Sequence, residues 1–183
     1  MQASERGAER ERSATASLPP WSARPWERGE YQRIWLQMAC RAWRTLAVVP
    51  AEEGMSTLDV AKLVMALGVA QGESIGVFDF RDVRVNRVAD ALRGARSQLD
   101  DGERLVFPTR SIRENLATIP LARATDAAVL CVSLGSTSME LAAETVGQIG
   151  KERFIGSILV RGPRSEAPDP RGIEQRRRLE ARC

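Results

Sequence analysis

Leu46-Ala-Val-Val49, followed by Pro50-Ala-Glu-Glu-Gly-Met-Ser-Thr57 and then by Leu58-Asp-Val-Ala-Lys-Leu-Val-Met-Ala-Leu67, is the run that decides the fold. Four aliphatic residues with no polar alternation predict a strand buried on both faces, the pattern of a parallel sheet. Pro50 to Gly54 reads as a loop. Val60, Leu63, Val64 and Leu67 fall on one stripe, which predicts a helix from Ser56 to Ala70, with Gly68 and Gly72 marking its C-terminal end. Strand, loop and helix make half of a strand–helix–strand unit, so the rest of the chain is expected to keep that rhythm.

It does so downstream. Ser74 to Phe80 reads as a strand, Val85 to Leu99 as a helix, and Arg104 to Phe107 as a strand stopped by Pro108. Ile112 to Ala122 is expected to be helical. Ala127 to Ser133 is the most apolar strand, Thr137 to Ile149 an amphipathic helix, and Phe154 to Val160 a closing strand. Upstream, Ile34, Trp35, Met38 and Cys40 sit near helical spacing, so Glu30 to Trp43 reads as a leading helix that Trp35 and Trp43 pack onto the domain. The fold class expected is α/β, three-layered, with a mostly parallel sheet and helices on both faces. Residues 1–28, broken by Pro19, Pro20 and Pro25, read as a flexible N-terminal arm, 29–161 as the α/β domain, and 162–183 as a flexible tail. Trp21 and Trp26 are expected to anchor the arm, in a groove of a neighbour or on its own domain.

Composition excludes several chemistries. The 183 residues suffice for one domain, and with 5% aromatics the core must be filled by aliphatic side chains. Histidine is absent, which rules out a histidine triad or a histidine-bearing zinc site. Cys40, Cys131 and Cys183 are widely spaced with no CxxC pair, which argues against a disulfide framework or thiolate zinc and for a reducing compartment, with Cys131 as a small core residue. No metal site is expected. The net charge of +3 comes almost wholly from arginine, Lys62 and Lys151 being the only lysines. That balance fits a cytoplasmic protein, and no nucleic-acid partner is expected. No run approaches the roughly 18 apolar residues that cross a bilayer, so membrane association is expected only through a partner.

The layout from Leu46 to Leu67 is also that of a phosphate-binding loop, in which backbone N–H groups and a helix N-terminus cradle a nucleotide's phosphates. Such a loop needs lysine followed by serine or threonine, the ammonium neutralising the terminal phosphates and the hydroxyl holding magnesium. After Gly54 the lysine position holds Met55, and Glu52 and Glu53 add negative charge where phosphates would lie. Ser56 and Thr57 either contact a phosphate or simply begin the helix. On charge alone, the loop repels what its layout suggests it should bind.

Pro50-Ala-Glu-Glu-Gly-Met-Ser-Thr57, continuing through Val60 to Leu67, resembles the Walker A region of bacterial tyrosine kinases of polysaccharide export, whose cytoplasmic domains are MinD/ParA-like P-loop ATPases. The resemblance spans about residues 28–161 and rests on order and spacing. Glu30-Tyr-Gln-Arg33 is similar to that family's E-x-x-R-x-x-R oligomerisation helix, with Leu36 in place of the last arginine. Val77-Phe-Asp79-Phe-Arg81 resembles its D-x-D-x-R strand, with Val77 replacing the first aspartate. Thr125-Asp126 through Thr137 and Phe154 to Val160 resemble two later strands. The departures bear on chemistry. The matching Walker B strand, Leu105 to Phe107, runs into Pro108 and Thr109 rather than an aspartate, the preceding segment is short, and Tyr31 is the lone tyrosine where the family has a C-terminal cluster.

Charge neutralisation and metal positioning carry phosphoryl transfer, so the resemblance implies a pseudokinase or pseudo-ATPase without catalytic residues and without ATP or magnesium as cofactor. It implies a scaffold or regulator in polysaccharide biosynthesis and export, with a membrane co-polymerase or a kinase homologue at the inner membrane as partner. Self-association would run through Glu30 and Arg33, which as (i, i+3) neighbours can equally pair along their own helix. Asp79 can meet a magnesium ion or serve as a cap or ion-pair partner. Arg176 to Arg178 reads as a solvated run, with an acidic-lipid contact as the alternative. Two other readings stay open: a divergent ATPase using backbone amides, Ser56, Thr57 and Asp79 with a neighbour's basic residue, and a ParA-like positioning adaptor.

Overall fold

The computed structural model describes residues 27–97 and 102–160. Trp21, Trp26, Leu99, Cys183, the arginine run and the arm and tail beyond those limits lie outside the described residues. The elements are α1 (Gly29–Ala39), β1 (Thr45–Pro50), α2 (Thr57–Ala70), β2 (Ile75–Val77), α3 (Val88–Arg96), β3 (Arg104–Pro108), α4 (Thr118–Ala124), β4 (Ala127–Ser133), α5 (Met139–Ile149) and β5 (Phe154–Val160). The strands form one five-stranded sheet in the order β2-β3-β1-β4-β5, and every pairing is parallel.

The central strand β1 is buried along its whole length, and its alternating side chains build both layers of core. Leu46 and Val48 join Val106, Val129 and Cys131 under Trp35 and Met38 of α1 and Val60, Val64 and Leu67 of α2. On the opposite face, Leu105 and Phe107 pack against Val88, Leu92 and Ala95 of α3 and Leu121 of α4. Ala47, Val49 and Ala128 meet Ala122 of α4 and Ile149 of α5 there. The three-layer α/β architecture thus follows from the apolar runs of the sequence.

Some boundaries move, each for a local reason. The leading helix ends at Ala39 rather than Trp43. Trp43 leaves it so that its indole Nε1–H can donate to the Met38 carbonyl at 3.1 Å, and the ring is buried. The Arg104 guanidinium lies 5.0 Å from the Trp43 ring and 6.0 Å from that of Trp35, fastening α1 to β3. The strand expected over Ser74–Phe80 is regular only at Ile75–Val77, yet Phe78 and Phe80 N–H still donate to the Val106 and Pro108 carbonyls. Gly68 does not end its helix; it lies inside α2, where a β-carbon would fall on Ile75 and within 2.8 Å of Trp35. Gly72, with φ +83°, takes the left-handed turn beyond the helix. The expected helix over Ile112–Ala122 begins only at Thr118. Before it, the Asn115 side-chain amide donates to the Arg81 and Val83 carbonyls and its oxygen accepts from Ala117 N–H, holding the chain in a loop. Likewise α5 starts at Met139, because Ser138 caps it while the Thr137 hydroxyl accepts from Ser133 N–H.

The connections place the candidate site. The helix after β1 covers one face, whereas those after β2, β3 and β4 cover the other. The direction of winding therefore switches at the C-terminal end of β1, the position where open α/β sheets form a ligand crevice. No helix among the described residues is long and apolar enough to cross a membrane.

Candidate functional site

The loop Ala51–Ser56 sits at that switch point. Its first amide still belongs to the sheet, Ala51 N–H donating to the Cys131 carbonyl at 2.9 Å. The chain then rises through Glu52, Glu53 and Gly54, whose φ of +75° is the left-handed conformation that favours glycine. Met55 is half-buried and packs against the core under α2. A thioether held in apolar contact supplies neither the charge nor the reach of an ammonium.

Thr57, the second hydroxyl of the expected phosphate loop, is fully buried. Its Oγ1 donates to the Thr109 carbonyl at 2.6 Å, and the Thr109 hydroxyl donates to the Val48 carbonyl at 3.0 Å. These bonds stitch the start of α2 to the ends of β1 and β3, so Thr57 faces the floor of the crevice and not its mouth. Ser56 is exposed, and its hydroxyl donates to the Asp59 carboxylate at 2.6 Å.

Two more carboxylates bind the loop to its neighbours. Glu52 accepts from the Ser136 hydroxyl at 2.6 Å, tying the loop to the turn after β4. Glu114 Oε1 accepts from Gly54 N–H at 3.4 Å, tying it to the turn after β3. The other oxygen of Glu114 accepts from Ser111 N–H at 3.2 Å and Ser111 Oγ at 2.9 Å, while Ser111 Oγ accepts from Glu114 N–H at 3.2 Å. Ser111-Ile-Arg-Glu114 is thus a reciprocal capping box, the sequence signal by which Glu114 could have been found. Its bond to Gly54, sixty residues away, left no such signal.

Asp79 is held by Arg81 in a forked pair, with Arg81 Nε at 3.0 and 3.1 Å from the two oxygens, Nη2 at 2.7 Å, and the Arg81 N–H at 3.0 Å. The Arg81 guanidinium holds the Asp79 carboxyl below the usual aspartate range, outweighing partial burial. Arg110 pairs with Asp82 at 2.9 Å and lies 3.7 Å from Glu114. The cations beside the crevice are therefore engaged with carboxylates of the same chain. Glu30 and Arg33 lie apart from this region, on the exposed side of α1 with Leu36, and no ion pair joins them among the described residues.

Among the described residues, no group of three or more cysteine, aspartate or glutamate side chains is placed to hold a metal ion. Open hollows of about 380 and 560 Å³ border α3, near Arg84 and Arg87 and near Arg93 and Arg96 respectively, and include no residue of the loop. At the switch point the position that a phosphate loop gives to lysine holds Met55, the Thr57 hydroxyl is buried and bonded, and Glu52, Glu53 and Glu114 border the backbone turn. Cys131 is buried in the core, where desolvation pushes its thiol up to about 12, leaving it protonated and inert. No protein-family model matches this chain, and no curated protein matches it either.

Proposed function

We propose that this chain is a nucleotide-free interaction protein: a degenerate phosphate-loop domain that serves as a scaffold or regulator in a polysaccharide-export assembly, with a membrane co-polymerase or a kinase homologue as its partner. The observation that carries the non-catalytic reading is the acceptance of the Gly54 N–H by the Glu114 carboxylate beside Met55. In a working loop that amide and its neighbours meet a phosphate. Here an anion of the chain itself stands against it, with Glu52 and Glu53 alongside. One unit charge held about 4 Å from a phosphate oxygen opposes it by roughly 4 kcal/mol at an effective dielectric near 20; Arg110, shared between Glu114 and Asp82, offsets part of this, and the lysine position holds Met55.

The polysaccharide context is supported by the ordered resemblances along residues 28–161, and the assembly surface by the outward side of α1, where Glu30, Arg33 and a 64% exposed Leu36 face solvent together. The test is a thermal-denaturation titration with ATP and with ADP, each with magnesium. The expected result is no saturable stabilisation. A saturable rise at millimolar nucleotide or below would replace this reading by the divergent-ATPase one.

A further inference from the structure

We propose that the loop at Ala51–Ser56 is self-liganded: the Glu114 carboxylate closes the crevice between the ends of β1 and β3 and orders the loop in the place of an external anion. The inference rests on the nucleotide-free reading and deepens it, because it assigns the closure to one residue.

The two oxygens of Glu114 have separate tasks. Oε2 completes the capping box with Ser111, which fixes the side chain's direction. Oε1, which lies 3.7 Å from the Arg110 guanidinium, reaches across to Gly54 N–H. Gly54 follows β1, whose helix goes to one face, whereas Glu114 follows β3, whose helix goes to the other. The contact therefore spans the switch point itself. On the opposite flank the Ser136 hydroxyl and Glu52 make the matching tie to the turn after β4. Beneath both, Thr57 and Thr109 form the floor. The loop is thus held on its two sides and from below by side chains of its own fold. These ties differ in strength: the floor bond is short and dry, whereas the Glu114 contact is 3.4 Å long and exposed. The closure is the weakest link of the three and can open without disturbing the sheet.

Hydrogen exchange on the full chain without nucleotide tests this, using wild type, Glu114→Ala and Glu114→Gln. Loss of the acceptor in Glu114→Ala is expected to speed exchange about tenfold at Gly54 and at Ser111 while the amides of β1 and β4 keep their protection. Glu114→Gln retains one acceptor oxygen, which the closer bonds to Ser111 claim, so Ser111 should stay within roughly threefold of wild type while Gly54 exchanges as fast as in Glu114→Ala. Sodium acetate should slow exchange at Gly54 in Glu114→Ala more than the same concentration of sodium chloride. Unchanged exchange at Gly54 in Glu114→Ala would overturn the proposal. So would a loss spread over β1 and β4, or equal responses to acetate and chloride. Protection of the wild-type loop by ATP with magnesium would instead overturn the nucleotide-free reading, leaving the exchange difference between the variants as a separate result.

Discussion

The two ends of the sheet are both closed by carboxylates, but they are closed differently. At the end where the strands begin, Asp126 accepts from Arg44 N–H at 2.9 Å, Thr45 N–H at 2.8 Å and the Thr45 hydroxyl at 2.8 Å, while its own N–H donates to Thr45 Oγ1 at 3.0 Å. All of these join the starts of β1 and β4, which are neighbours. At the opposite end, Glu52 and Glu114 join loops that leave for different faces, and the Glu114 contact is long. One rim uses negative charge to lock strand register, and the other uses it to occupy a crevice. Conservation of charge type between the rims hides a difference in purpose.

Breaking the strand-start rim should have the largest effect. Asp126→Ala is expected to lower stability by about 2 kcal/mol, since charge-assisted hydrogen bonds are lost at a site partly open to solvent. In a thermal melt that corresponds to a fall of about 4–8 °C. Burial pushes the Asp126 carboxyl up, but the Thr45 hydroxyl and the Arg44 and Thr45 amides outweigh it and leave its pKa below the ordinary 3.8. Its stabilising contribution is therefore complete above the unfolded value and is lost as pH falls through the lower folded one. Urea unfolding followed from pH 6 downward should show a shallower acid limb in the variant; equal limbs would remove Asp126 from the account.

The crevice floor comes next. Thr57→Val keeps the shape of the side chain and removes the donor to the Thr109 carbonyl, so a buried acceptor loses a partner. The expected cost is about 1 kcal/mol. Urea denaturation measures it, and a loss below the error of the measurement would mean that the floor does not brace the loop.

The contrast between the rims was unequally legible in the sequence. β4 begins and ends where the apolar run does, at Ala127–Ser133, because such residues have few alternatives once buried; β5 keeps its expected bounds, Phe154–Val160, as an edge strand in which only Ile158 is buried. The loop after β1 was legible for the opposite reason: Glu52, Glu53 and Gly54 break the apolar run, and Gly54 takes the left-handed turn. Residues 112–117 were not legible as a loop. Their apolar spacing suits a helix, and the Asn115 bonds to a segment more than thirty residues away hold them out of one. Gly68 was misread because a glycine near a helix end signals termination locally, whereas the crowding by Trp35 and Ile75 that requires it is tertiary. Glu114 and Asp126 act on partners sixty and about eighty residues away, a distance over which spacing carries no information.

The smallest effect belongs to Asp79, which the sequence offered as a metal contact or an ion-pair partner. Its fork with Arg81 is well formed, yet the two side chains are 43% and 30% exposed, so water competes for both. Asp79→Asn is therefore expected to cost about 0.5 kcal/mol, read as a shift of roughly 1–2 °C in the thermal midpoint. The Arg81 guanidinium lowers the Asp79 pKa, so this contribution too is present above pH 3.8 and disappears on acidification, in the same window as that of Asp126. The double variant should add the two losses, because the residues serve different parts of the fold. Magnesium supplies the sharper discrimination. A carboxylate reserved for Arg81 leaves the melting temperature of wild type and Asp79→Asn equally indifferent to millimolar magnesium. A metal-dependent rise in wild type that Asp79→Asn abolishes would show that the forked pair opens to take a cation, and would move Asp79 from the braced part of the molecule to the working one.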